Sequence, residues 1–333
     1  MSSLIDKVPA AQAWLEDAFK RCSDEAYGSF VSAVLWTAQK DSTGELIVPV
    51  DPIELVRKIN TSPFILLNNH DPGKPAGQVL ESAYFESEEA ECFVVAVLGY
   101  YAGGDASTFE ELGLEINEEI SLPTNLPTFP SDCCIVVATD PREVDEEWLG
   151  RVTSSAPIAV ERVELSHNAA ESAQELIIVG LAFVALVWNP FVKSFASEAG
   201  KDTYRLVNSW IKKLCEELSD RMNPVLDIHT HQKGCQVSFL LRGNDRSMHF
   251  KAHEELSGAA MKAAELIDRM KSRGTPAQQL VYEFDKETLR WFPSYAILFN
   301  NKIITSNTAL IALEQIPRGL SLGISRKDMP PKR

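Results

Sequence analysis

Apolar positions recur along this chain with two periods, and the switching between them divides it into short strands and helices. In residues 10–22, Trp14, Ala18 and Cys22 fall four apart with Leu15 and Phe19 beside them, which predicts a short amphipathic helix. Residues 29–39 are an apolar run rich in strand formers, closed by the turn Lys40-Asp41-Ser42-Thr43-Gly44. After a short strand over 46–50, Asp51 and Pro52 supply an N-cap and a first helical residue for a helix over 52–60. An apolar strand over 64–68 runs into Asn69-His70-Asp71-Pro72-Gly73; residues 77–86 alternate in strand fashion and 92–101 are strongly apolar. A short helix over 108–114, a buried strand over 133–138 and a closing helix over 143–149 complete a β-rich first domain spanning 1–150.

The pattern then changes. Residues 151–175 are small and polar and read as a spacer. Residues 176–188 are an unbroken apolar run of 13, interrupted by Asn189-Pro190. A membrane-spanning helix needs about 20 apolar residues, so the run is short for one. Over 198–218, Tyr204, Val207, Ile211, Leu214 and Leu218 make one apolar stripe with Trp210 at its side. These two segments predict a helical hairpin over 176–220, an apolar helix paired with an amphipathic one. From Pro224 the strands return: 225–231 and 235–241 form a hairpin around Gln232-Lys233-Gly234, and residues 246–251 read as a third strand. A helix over 253–273 and further strands make 221–325 a second α+β domain with antiparallel strands, and 326–333 a mobile basic tail. The fold class is α+β throughout.

Composition adds a charge asymmetry. The chain of 333 residues carries a net charge of −15, and residues 81–150 alone hold 17 carboxylates against one cation, Arg142. A field of that sign repels phosphate, so a nucleic-acid partner is not expected, whereas a basic protein or peptide is. The six cysteines, Cys22, Cys92, Cys133, Cys134, Cys215 and Cys235, include no C-x-x-C pair, which favours reduced thiols over a disulfide framework or a zinc site. The first residues have no basic n-region and no long apolar h-region of a secretory signal. The expectation is a cytoplasmic protein, a homo-oligomer, with no cofactor and no metal.

Between Gly28 and Gly77 the order of elements is strand, acidic-glycine turn, short strand, proline-started helix, then the apolar strand delivering His70-Asp71, followed by Pro75-Ala76-Gly77. This resembles the opening of the tailed-phage prohead serine proteases, a family related in fold to the herpesvirus assemblins; the likeness extends over about 150 N-terminal residues and leaves the C-terminal half unmatched. The resemblance implies a β-barrel or sheet domain with short helices. It implies a serine peptidase in which His70 is the general base and a serine on a later strand is the nucleophile. Ser121, in Glu119-Ile120-Ser121-Leu122, stands where the family's order puts that serine, and Asp140 is the candidate third group that orients the imidazole. Family members carry glycine just after the nucleophile; here Leu122-Pro123 follows, and Pro123 has no N–H to offer an oxyanion.

A second motif is Asp227-Ile228-His229-Thr230-His231. On a strand its Asp and two His side chains share a face, the arrangement metal sites use, with His249 and His253 as further ligand types, although a plain hairpin also explains the segment. Two other readings of the whole chain stand beside the peptidase. One is a non-catalytic binding or scaffold module on the same fold. The other is a phage-defence or stress effector in which residues 176–193 seek a membrane.

Overall fold

The computed structural model of the chain describes residues 2–24, 26–40, 44, 46, 50–61, 64–68, 71–88, 91–114, 133–165, 175–186 and 198–306. They are mixed α and β and fall into two compact units, the first within Met1–Ala106 and the second within Ser107–Ser166 and Ser172–Thr308.

The first unit contains helices α1 (Ser2–Asp6), α2 (Pro9–Cys22) and α3 (Pro52–Thr61) and strands β1 (Ser29–Thr37), β2 (Phe64–Leu67), β3 (Pro75–Glu86) and β4 (Cys92–Tyr100). The strands form an antiparallel sheet in the order β1-β4-β3-β2. Strand β4 is apolar without alternation because both of its faces are covered. Phe93, Val95 and Val97 pack under Ala11, Leu15 and Ala18 of α2, whereas Ala96 and Leu98 pack with Ile59 of α3. Asp51 caps α3 through Oδ1, which accepts from the Glu54 N–H at 2.8 Å, as the Asp-Pro pair predicts.

The second unit holds β5 (Ser107–Thr108), β6 (Ile135–Thr139), α4 (Glu146–Ser154), β7 (Val160–Glu164), β8 (Glu175–Gly180), α5 (Phe183–Leu186), α6 (Glu198–Glu217), β9 (Pro224–Gln232), β10 (Cys235–Arg242), α7 (Arg246–Ser272), β11 (Ala277–Asp285), β12 (Arg290–Leu298) and β13 (Ile303–Thr305). Its described strands make one mixed sheet in the order β5-β13-β12-β11-β10-β9-β8-β6-β7. Three parallel pairs, β6/β7, β8/β9 and β10/β11, are each joined across a helix, respectively α4, α6 and α7. The predicted stripe of α6 is buried in full, in one core with Trp148 and Val152 of α4, Leu256, Ala260 and Ile267 of α7, and Ile177, Val179, Leu226, Ile228, Val237 and Phe239 of the sheet.

Four expectations change. The first domain ends near residue 106 rather than 150, because β6 bonds to β7 and β8 in the second sheet. The supposed spacer contains β7, an edge strand exposed at four of its five positions, which is why it reads as polar. The apolar half of the predicted helical hairpin begins as strand β8, hydrogen-bonded to β6 on one side and β9 on the other. A strand buried on both faces and a buried helix share the same unbroken apolar signature, and the β-branched Ile177, Ile178 and Val179 favour the strand. No helix among the described residues is long and apolar enough to cross a membrane. Finally, residues 246–251 are the first turns of α7, started by Asp245, whose Oδ1 accepts from the N–H groups of Ser247 (2.8 Å) and Met248 (3.2 Å). The β9–β10 hairpin is as expected but tighter, with Lys233 and Gly234 at φ 52° and 84° as the two turn residues.

Arg221 follows α6, with its side chain only 10% exposed, and ties three segments together. Its Nε donates to Glu175 at 2.7 Å, Nη1 to Asp145 at 2.6 Å and Nη2 to the carbonyl of Glu143 at 2.8 Å, while the guanidinium lies 5.4 Å from the Trp148 ring centre. Asp145 is also the N-cap of α4. Replacing Arg221 with Met leaves two carboxylates uncompensated. The expected cost is about 2–3 kcal/mol, below the figure for a fully buried pair because Asp145 is largely solvated. Urea unfolding of the two proteins at one pH measures it.

Candidate functional site

Of the stretch that carries the sequence resemblance, the described residues form β1, α3 and the hairpin β2–β3. Backbone bonds among Asn68, Asp71 and Lys74 close it. The Asn68 N–H donates to the Lys74 carbonyl (2.9 Å), the Asp71 N–H to the Asn68 carbonyl (3.1 Å), and the Lys74 N–H to the Asp71 carbonyl (2.9 Å). The Asp71 carboxylate is buried; Oδ1 accepts from the Gly73 N–H at 3.0 Å, and Oδ2 lies 3.2 Å from the Lys74 ammonium. The acidic residue of the His-Asp pair is therefore a turn former. Pro75 opens β3, where a missing N–H is tolerated. Gly77 is required for contact: a Cβ there would sit 2.1 Å from the Gly99 carbonyl oxygen of β4.

His70 and Ser121 lie outside the described residues. Asp140 belongs to the second unit, at the end of β6, and is buried. Its Oδ1 accepts from Arg142 twice, from the backbone N–H at 2.9 Å and from Nε at 3.0 Å, and Oδ2 accepts from Nη2. The one cation of the acidic stretch is thus engaged by this carboxylate, and an imidazole oriented by Asp140 would have to share it with Arg142.

The second motif forms a polar row on β9. Leu226 and Ile228 point into the helix-covered core, so Asp227, His229 and His231 face the opposite side of the sheet. Ser238 of β10 stands directly across from His229 in register. Asp227 is 5% exposed; its Oδ2 accepts from Ser238 Oγ at 3.4 Å and its Oδ1 has no hydrogen-bond partner among the described residues. Burial pushes this carboxyl up to about 7, against the opposing pull of the Ser238 bond and the Arg242 charge. His229 is shifted below the ordinary imidazole range, first by burial and then by His231, whose ring centre is 6.3 Å away. Its ring needs the bare backbone of Gly180 on β8, where a Cβ would come 2.9 Å from Nε2. His249 and His253 are placed elsewhere, on α7. His249 has Nδ1 2.8 Å from the Cys215 carbonyl and Nε2 2.8 Å from the Gly243 carbonyl, and His253 Nε2 lies 3.2 Å from the Asn208 carbonyl. Among the described residues no group of three or more His, Cys, Asp or Glu side chains could hold a metal ion.

The cysteines do not offer a nucleophile at the positions whose environment is resolved. Burial raises the Cys22 thiol to about 11 and those of Cys215 and Cys235 to about 12, so each stays protonated at neutral pH. Sequence reasoning had singled out the Asp-x-His-x-His face but not Ser238 or Gly180. The even spacing of Gln236, Ser238 and Arg242 opposite the apolar Val237, Phe239 and Leu241 was the signal that could have found the serine.

A carboxyl held above its unfolded value of 3.8 binds its proton more tightly in the native state. Its contribution to stability is full below about pH 4 and is lost as pH rises towards 7. Asp227→Asn removes that dependence and keeps an acceptor for Ser238. Thermal melts should show the variant more stable than the parent at pH 8, by up to about 4 kcal/mol. At pH 4 the two should be close; a variant that melts lower than the parent at pH 8 would show that the charged carboxylate is needed.

No protein-family model matches the chain, and no curated protein or solved structure matches it either.

Proposed function

We propose that the chain is a serine peptidase of prohead-protease type, with His70 as general base and Ser121 as nucleophile. The observation that carries this reading is the division of labour in the β2–β3 hairpin. Asp71 builds the turn, Pro75 starts the strand, and Gly77 permits the approach of β4, so chemistry falls to the remaining motif residue, His70. In the reaction, the imidazole takes the Ser121 hydroxyl proton as the oxygen attacks a peptide carbonyl. It then returns that proton to the leaving amine, and water releases the acyl group by the same exchange. With Pro123 unable to donate, the oxyanion is held by N–H groups other than that of residue 123. The acidic excess over residues 81–150 suits a basic protein or peptide substrate. A reducing compartment such as the cytoplasm suits the six free thiols.

A second reading, a binding module on the same fold, is favoured by one observation: the Asp140 carboxylate is bonded by Arg142 at three nitrogens. Covalent labelling with a fluorophosphonate probe, read by intact mass, separates the two. A peptidase gains the probe mass on the parent chain and loses the gain in both Ser121→Ala and His70→Ala. A parent chain left unlabelled after long exposure to excess probe has no activated serine, and the binding-module reading takes over.

A further inference from the structure

We propose that a cleft between α7 and the start of β12 is a binding site for a small aromatic carboxylate. The cleft has a volume of about 240 Å³ and is lined by Glu255, Gly258, Ala259 and Lys262 of α7 and by Arg290 and Trp291 of β12. Sites for drug-sized ligands run from about 300 to 1,000 Å³, so this one takes a single ring with one polar group.

Its walls are fixed before a ligand arrives. The Trp291 indole donates Nε1–H to the Ala252 carbonyl at 2.9 Å and is held edge-on by Phe239 and Phe284, with ring centres 5.6 and 5.3 Å away. Trp291 is 9% exposed and cannot turn, so it gives the cleft an apolar wall whose ordering cost has already been met by folding. The floor is low because α7 places a glycine and an alanine there. A Cβ added to Gly258 would meet nothing within 4 Å, so a flat group can reach the helix backbone.

The charge at the rim selects an anion. Lys262 is half-buried and has no ion-pair or hydrogen-bond partner among the described residues, in a chain with 47 acidic residues. The acids nearest along its helix are drawn to other cations: Glu255 to Lys251 at 3.0 Å and Glu265 to Arg269 at 2.8 Å. Arg290 adds a second cation across the cleft. A carboxylate between Lys262 and Arg290, with its ring against Trp291, meets both cations and the aromatic wall, while Glu255 of the lining is held by Lys251. Phosphate-bearing nucleotides exceed the volume.

Benzoate is the probe, titrated into the full-length protein while the Trp291 indole N–H signal is followed by NMR, with Trp291→Phe for assignment. The expected result is a saturable shift that weakens about fivefold in Lys262→Gln, the size of one partly exposed ion pair. Gly258→Leu fills the cleft and should abolish the shift. That variant adds helix propensity and its Cβ meets nothing within 4 Å, so it is expected to fold. No saturable shift up to the solubility limit of benzoate overturns the site, as does an equal affinity in Gly258→Leu. Benzyl alcohol binding as tightly as benzoate overturns the choice of an anion.

Discussion

Residues 93–98 of β4 see no solvent at all, and a strand of that kind exists only where something lies on each of its faces. The first unit is built around this constraint. Helix α2 supplies one cover and α3 the other, and β1 and β3 take up the backbone groups that the covers cannot reach. The turn that precedes β3 is held to the same standard: its buried carboxylate, Asp71, is bonded within the turn itself. The β2–β3 hairpin is therefore anchored to a sheet whose position is dictated by burial.

The second unit solves the same problem with one heavily covered face. Helices α4, α6 and α7 share a single core over seven neighbouring strands, and Arg221 fastens the end of α6 to the starts of α4 and β8. On the other face polar side chains are buried as well, Asp227 and Ser238 among them. A carboxyl with one oxygen left without a partner is stabilised in its neutral form, which makes its neighbourhood sensitive to proton concentration where ordinary carboxylates are not.

What the sequence revealed was local. The stripe of α6, the cap Asp51, and the shared face of Asp227 and His229 all follow from periodicity and turn chemistry, and all are present. What it concealed was partnership. Whether residues 176–180 form a helix or a strand depends on β6 and β9, which lie some 40 residues away on either side and leave no mark in a local window. The same holds for the domain boundary, since Cys133–Ala138 reads equally well as the last strand of one sheet or a central strand of another. At the candidate site, residue types were legible, but the absence of a partner for Asp227 Oδ1 and the closeness of Gly180 to His229 are properties of packing alone.

Strand β7 ends the order of the larger sheet among the described residues, and nearly all of it is in water. An outermost strand presents a row of main-chain donors and acceptors to any other strand that drifts past. Here the segment reads Val160-Glu161-Arg162-Val163-Glu164, with three charges in five residues, and Arg162 is bent back to Glu146 and Thr153. A foreign strand pairing with it would have to strip water from those charges. The polarity that makes this stretch look like a linker thus acts as a guard against edge-to-edge polymerisation, and a chain stripped of those charges would be expected to pair edge to edge more readily.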